Sequence, residues 1–172
     1  MANDLTPGQA RAAIGTLGAG AIAALAMAVA ALKPDEGKVN IGYLDIARVP
    51  TECYGHTGPD VRVGRYRTDA QCEALLKADA EKHLRGVLHC TPGLADRPHQ
   101  LAAATRLAFN IGTSAYCRST VARRFNAGAW RAGCDGFIAW RFARVNGRMV
   151  EVRGLKLRRE RERAACLTGL GA

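Results

Sequence analysis

The chain of 172 residues is poor in aromatics: two Trp, four Tyr and four Phe make up 6% of it. A nucleic-acid surface wants basic side chains interleaved with exposed aromatic platforms, or a named DNA-binding motif, so no nucleic-acid partner is expected. Cysteine pairs two residues apart are also missing, because Cys53, Cys72, Cys90, Cys117, Cys134 and Cys166 form no C-x-x-C. That removes the usual zinc and redox spacings, and neither a metal nor a cofactor is expected. A G-x-S-x-G elbow is absent as well, which excludes the common serine-hydrolase arrangement.

Positive charge, by contrast, is abundant. Lys and Arg number 25 against 15 Asp and Glu, a formal net charge of +10. Such a surface suits an anionic partner, which charge alone leaves as nucleic acid, an anionic membrane or an acidic bacterial wall. The length suffices for one domain, or two small lobes sharing a core.

The residues that carry chemistry stand close together. Glu36, Asp45 and Thr51 follow one another with eight and then five residues between them, and Thr51 leads into Tyr54-Gly55-His56-Thr57-Gly58. Gly37 directly follows the glutamate and Tyr43 lies two residues before the aspartate. The stretch from Glu36 to Gly58 resembles the catalytic opening of the phage-type lysozymes, the endolysin muramidases of glycoside hydrolase family 24. The resemblance implies an α+β, mostly helical, two-lobed fold with a small β-hairpin lobe and a helical lobe. It also implies hydrolysis of the β-1,4 bond between N-acetylmuramic acid and N-acetylglucosamine in peptidoglycan, during host lysis. The alternative is a catalytically degenerate, membrane-anchored protein that binds peptidoglycan without turnover.

Glycosidic cleavage needs a proton for the leaving oxygen and a positioned water. Glu36 is the expected general acid, in a partly apolar pocket that favours its protonated form. Asp45 would hold the attacking water and Thr51 would orient it, and the family implies an inverting outcome. Tyr43 and Asn110 are candidate substrate-binding residues, since Phe109-Asn110-Ile111-Gly112 resembles the family's cleft-lining segment. His56 matches a structural histidine of the family, and Asp79 is its expected partner. Gly154-Leu155-x-x-Arg158-Arg159-x-x-Glu162 is similar to the family's C-terminal signature, with Arg159 in structural support and one or two arginines of the run bracing Asp35 or Glu36. Three positions depart from the pattern: Arg48 where the family has Gly, Pro50 for an aromatic, and Glu52 for an apolar residue. Were Glu52 to point into the cleft, it would replace or perturb Asp45.

Residues 12–32 contain no charge and lie between Arg11 and Lys33. That length can span a bilayer as a helix. Ten of the 21 are Ala and three are Gly, leaving seven strongly apolar residues. Their insertion preference sums to only about 2–4 kcal/mol. Three readings stay open: a cleavable signal peptide ending in Ala28-Val29-Ala30, a permanent anchor, and a signal-anchor-release segment of the kind certain lambdoid-phage endolysins join to this motif. The last is the expectation, dividing the chain into a segment at 1–33 and a catalytic domain at 34–172. Its implied partners are peptidoglycan, the inner membrane through residues 12–32, and a holin or pinholin. The domain would stand in the periplasm while anchored, then be released as a monomer. Gly15, Ala19 and Ala23 form a small-residue face at helical spacing, suited to packing on protein after release.

Six cysteines in an exported chain suggest disulfides. Fifteen full pairings are possible; the expected one joins Cys53 with Cys72, Cys90 with Cys117 and Cys134 with Cys166, the alternative being buried thiols. Hydrophobic spacing and turn residues predict a hairpin sheet over 36–60, a helix capped by Thr68 running to about 88, a loop over 89–98, and helices over 100–110, 119–126, 129–141 and 155–167.

Overall fold

The computed structural model describes residues 16–171. Helix α1 (Ala19–Glu36) leads into β1 (Val39–Leu44), β2 (Pro50–Cys53) and β3 (His56–Thr57), a three-stranded antiparallel sheet in that order. This sheet is the small lobe. Gly42 of β1 sits so close to the returning loop that a Cβ would run into the Arg62 carbonyl. Helix α2 (Asp69–Cys90) connects to the helical lobe. Its start carries the reciprocal cap that Thr68 and Gln71 promise: the Thr68 hydroxyl accepts from the Gln71 N–H while the Gln71 side chain accepts from the Thr68 N–H.

Helix α3 (Pro98–Ile111) runs through the middle of the helical lobe, and every residue from Gln100 to Ala108 is buried. Ala102, Ala103, Ala104 and Ala108 on this helix let its neighbours approach closely. Around it stand α1, α2 and the terminal helix α7 (Arg153–Leu167). The shorter α4 (Thr113–Cys117), α5 (Thr120–Asn126) and α6 (Trp130–Asp135) complete the lobe, with a 3-10 segment Gly136–Arg141 and a second hairpin, β4 (Phe142–Val145) and β5 (Arg148–Glu151). Leu84, Leu94, Leu101, Leu107, Tyr116, Phe125 and Phe137 are fully or nearly fully buried and form the centre of the core.

All three expected cysteine pairs are disulfides, and no cysteine is free. They tie β2 to α2, the end of α2 to α4, and α6 to α7. Closing loops of 19, 27 and 32 residues, each stabilises by ~3 kcal/mol in the chain-entropy account.

The expected membrane segment is only partly within the described residues. Among the described residues no helix is long and apolar enough to cross a membrane, and Arg11 and residues 12–15 lie outside the described part. What is described of the segment belongs mainly to α1, whose Ala21, Ala24, Leu25, Ala28 and Leu32 are buried in the core. The small-residue face is rotated from the expected one. Ala19 and Ala23 are exposed and Gly15 falls outside the described residues. The close approach is made instead by Gly20, where a Cβ would lie 2.5 Å from the Ala95 carbonyl oxygen. Helix α1 continues through Pro34 and ends on Glu36, where Gly37 at φ 69° turns the chain.

Two further differences have local causes. The helix expected over 129–141 breaks after Asp135 into a 3-10 segment, since Gly133 and Gly136 weaken the helix and admit Phe125 and Val121 against the backbone. The β4–β5 hairpin was signalled by Asn146-Gly147, which adopts φ 47° and 79°, the two positive angles of a tight hairpin turn.

Candidate active site

Glu36 ends α1 and Asp35 precedes it, so both carboxylates emerge where the core helix meets the small lobe. Asp35 is 3% exposed and is held by Arg106 of α3 at 2.6 Å and Arg161 of α7 at 2.9 Å. Arg158 of α7 lies 2.7 Å from Glu36 Oε1 and 3.2 Å from Glu162 Oε1. The expected bracing arginines are therefore Arg158 and Arg161. Burial works against the Arg158 charge, but Glu36, Glu162 and Asp35 outweigh it and hold its guanidinium above its ordinary value. Burial also pushes the Glu162 carboxyl up, against the pull of Arg159, Arg106 and Arg158.

The partly apolar pocket expected around Glu36 is absent on the Arg158 side, because a charged cluster needs its members within contact of one another. Glu36 Oε1 is buried and accepts no aligned hydrogen bond, so the contact is an ion pair only. The side chain keeps 21% of its surface. One carboxyl oxygen is thus anchored while the side chain stays partly exposed.

Asp45 and Thr51 are organised around a single residue, Val49. The Val49 N–H donates to Asp45 Oδ1 at 2.8 Å, the Asp45 N–H donates to the Val49 carbonyl at 3.0 Å, and Thr51 Oγ1 donates to that same carbonyl at 3.0 Å. Ala47 N–H adds a second 2.8 Å bond to Asp45 Oδ1. These bonds leave Asp45 Oδ2 without a hydrogen-bond partner among the described residues. Arg48 within this turn takes φ 61°, a left-handed conformation that a glycine adopts without strain, which is why a side chain is the exception here.

Strand register separates Thr51 from Glu52. Tyr43 pairs with Thr51 and Thr51 with Thr57, a row on one face, while Glu52 pairs with His56 on the other. Glu52 is fully buried and ion-paired to Arg65 at 3.0 Å and Arg67 at 2.8 Å. It therefore does not point into the cleft. Pro50 opens β2, opposite Leu44.

His56 Nδ1 lies 2.7 Å from Asp79 on α2, and its Nε2 lies 3.2 Å from Asp60. Burial opposes the imidazolium, yet the bonds to Asp79 and Asp60 outweigh it and raise the His56 pKa above its ordinary value. Arg159, fully buried, donates to Glu162 at 2.8 Å and to the Asn110 Oδ1 at 3.1 Å. Asn110 is exposed at the end of α3, with only its amide nitrogen uncommitted. Arg106, which the sequence left unassigned, shares the Asp35 clamp with Arg161. Arg106 carries a signal of its own: it is the one charge inside the run Leu101–Ala108. Among the described residues no cluster of His, Cys, Asp and Glu could hold a metal ion.

The comparisons with known proteins point to one family. The phage lysozyme family model matches residues 33–162. A SAR-endolysin of Enterobacteria phage P21 is 32% identical over 170 residues, 96% of this chain and 99% of its own length. The muramidase domain of SpmX from Asticaccaulis excentricus superposes with a TM-score of 0.75 at 29% identity, covering 82% of this chain and 95% of that one. The active form of the P1 phage endolysin Lyz gives 0.72 at 27% identity, covering 91% and 98%. The chain belongs to the phage lysozyme family.

Proposed function

We propose that this protein is an endolysin muramidase that hydrolyses the β-1,4 linkage between N-acetylmuramic acid and N-acetylglucosamine in peptidoglycan. The observation that carries the reading is the anchoring of Glu36: Arg158 grips one oxygen while the side chain stays partly exposed. Glu36 donates its proton to the glycosidic oxygen as the bond breaks. Asp45, with Oδ1 tied to the Ala47 and Val49 N–H groups, turns its remaining oxygen to the attacking water. Thr51 shares the Val49 carbonyl and orients the same water. A site built around a water rather than a carboxylate nucleophile leads to inversion. Tyr43, beside Thr51 on the sheet, and the Asn110 amide line the substrate path. His56 with Asp79, and Arg159 with Glu162, hold the two walls.

In the same reading residues 1–33 form a releasable membrane segment, a reading supported by the similarity to the SAR-endolysin of phage P21 along nearly the whole chain. Glu36 is the last residue of α1, and the inner face of α1 is core. A membrane-held α1 would carry Glu36 away from Arg158, so activity follows release into the periplasm after a holin or pinholin has acted. The domain then works as a monomer.

The test is clearing of outer-membrane-permeabilised Gram-negative cells by purified wild type and Glu36→Gln. Removing a general acid should slow lysis by about 10²–10⁴-fold with the fold intact. Equal rates would exclude Glu36 as the acid. Binding of the wall without any clearing by wild type would leave a non-catalytic wall-binding protein.

A further inference from the structure

Apolar side chains left in solvent are unevenly spread over the molecule. Of the fourteen exposed large hydrophobic residues among the described ones, eight lie between Val39 and Tyr66, in the small lobe. Apolar residues scattered singly need no explanation, whereas a gathered set marks a surface for a partner. Ile41, Leu44, Ile46, Val49, Val63 and Tyr66 make up this set, with exposure running from 41% at Val49 to the whole side chain at Ile46.

Backbone pairing makes them neighbours. Ile41 bridges to Tyr66, the Gly42 N–H donates to the Arg65 carbonyl at 2.9 Å, and the Gly64 N–H donates to the Gly42 carbonyl at 2.8 Å. The 62–67 loop therefore lines the edge of β1 that β2 leaves open, and Val63 rests against Gly42. Leu44 ends β1 opposite Pro50, and Ile46 and Val49 follow it in the turn. The set is thus one rim, running from the loop along β1 to the turn.

Two cations stand on the same rim, Arg48 in the turn and Arg62 at the start of the loop. Arg62 donates to the Pro59 and Val61 carbonyls, and neither guanidinium meets a carboxylate among the described residues. The acids of the lobe are engaged elsewhere. Glu52 is held by Arg65 and Arg67, Asp60 by Arg67 and His56, and Asp45 accepts from the Ala47 and Val49 N–H groups.

We infer that this rim binds peripherally to an anionic phospholipid bilayer, with Ile46 and its apolar neighbours entering the headgroup boundary and Arg48 and Arg62 meeting lipid phosphates. Five aliphatic side chains offer no hydrogen bonds to hydroxyl-rich sugars, so a glycan is the poorer occupant. A second copy is poorer too, because it would set the same unpaired cations against each other at a net +10 per chain. A bilayer surface satisfies both parts of the rim: the acyl boundary takes the aliphatics, the headgroup level suits Tyr66, and the surface potential draws the arginines. The rim is separate from residues 12–32, and the inference does not rest on the muramidase reading.

The experiment uses the full chain, cosedimented with vesicles of equal parts phosphatidylglycerol and phosphatidylcholine and with vesicles of phosphatidylcholine alone. Ile46, Arg62 and Val63 are exposed, so replacing them leaves the core alone. Ile46→Asn and Val63→Asn should each weaken partitioning by about tenfold, as expected for withdrawing one inserted aliphatic side chain. Arg62→Gln should weaken it by about fivefold, on the anionic vesicles only. Docking at the rim itself is read with Tyr66→Trp and brominated phospholipids, against the background of Trp130 and Trp140 in wild type. The added indole should be quenched and the background should not. Binding through residues 12–32 alone would leave all three variants at wild-type affinity and the added indole unquenched, which would overturn the inference. Equal binding of wild type to neutral vesicles would overturn it as well, and so would a dimer or attachment to purified sacculi that Ile46→Asn abolishes while vesicle binding persists. Should Ile46→Asn fail to fold by circular dichroism, Val63→Asn and the indole quenching still decide.

Discussion

Two ion networks flank the cleft, and they differ in what they join. The first brings Asp35 and Glu36 from the end of α1 together with Arg106, Arg158, Arg159, Arg161 and Glu162, spanning separations of 71 and 126 residues. The second runs from Glu52 through Arg67, Asp60 and His56 to Asp79, within 28 residues of chain. The first holds Glu36, the candidate acid, in place through helices distant in sequence. The second stands where the family commonly has an apolar residue, and it ties the sheet to α2 rather than touching the cleft. Charged clusters of similar composition thus serve opposite ends: one sets the position of the candidate acid, the other substitutes for a lobe core.

The sharpest way to separate them is to remove one cation from the first. Arg158→Ala leaves Glu36 without its counter-charge and Glu162 with Arg159 alone, and should cost about 3–5 kcal/mol, with a large drop in wall clearing. Urea denaturation and a turbidity assay measure both, and Arg158→Lys should recover part of the loss. Undiminished stability would mean that the cluster is not the clamp described.

Next in size is the contrast between Asp45→Asn and Glu52→Gln. The first should lower kcat on purified wall by 10²-fold or more while leaving the melting temperature near wild type. The second should lower stability by about 1–3 kcal/mol, by loosening a buried charge-assisted pair, and spare kcat. The reverse pattern would transfer the water-positioning role to Glu52.

The histidine gives the second network a pH dependence of its own. A raised folded-state pKa means that His56 contributes stability in full below its unfolded pKa of about 6.5. That contribution is lost as pH rises through the folded pKa. Melting curves of wild type and His56→Gln should therefore be furthest apart at acidic pH and converge in alkali. A gap that widens with pH would contradict the Asp79 and Asp60 pairing.

The smallest effect is expected at the turn. Arg48 sits at φ 61°, so Arg48→Gly should stabilise by roughly 0.5–1 kcal/mol, the left-handed strain being partly offset by glycine's extra unfolded entropy. A destabilised variant would point to a contact of the Arg48 side chain that the turn geometry does not reveal.

Much of this was legible because it is local. Thr68 and Gln71 cap α2 through residues three apart, and the alternation over 36–60 carries the sheet. The Glu36, Asp45 and Thr51 spacing survives as a motif because one helix end and one hairpin carry all three. The break at Asp135 was not legible, since Gly133 and Gly136 mark a weak point but only the Phe125 and Val121 packing decides that the helix ends there. The β4–β5 hairpin had its Asn146-Gly147 signal, which lay between stretches read as helical and unassigned.

By itself the sequence determined the types of the principal elements, the positions of the candidate reacting groups and the family, because each depends on neighbours in the chain. Tertiary structure decided which face of α1 is buried, that Glu36 meets Arg158 rather than an apolar pocket, and that Glu52 turns away from the cleft. Those outcomes depend on whether distant groups can share one low-dielectric space, and long-range charge pairing leaves no periodic trace in a sequence.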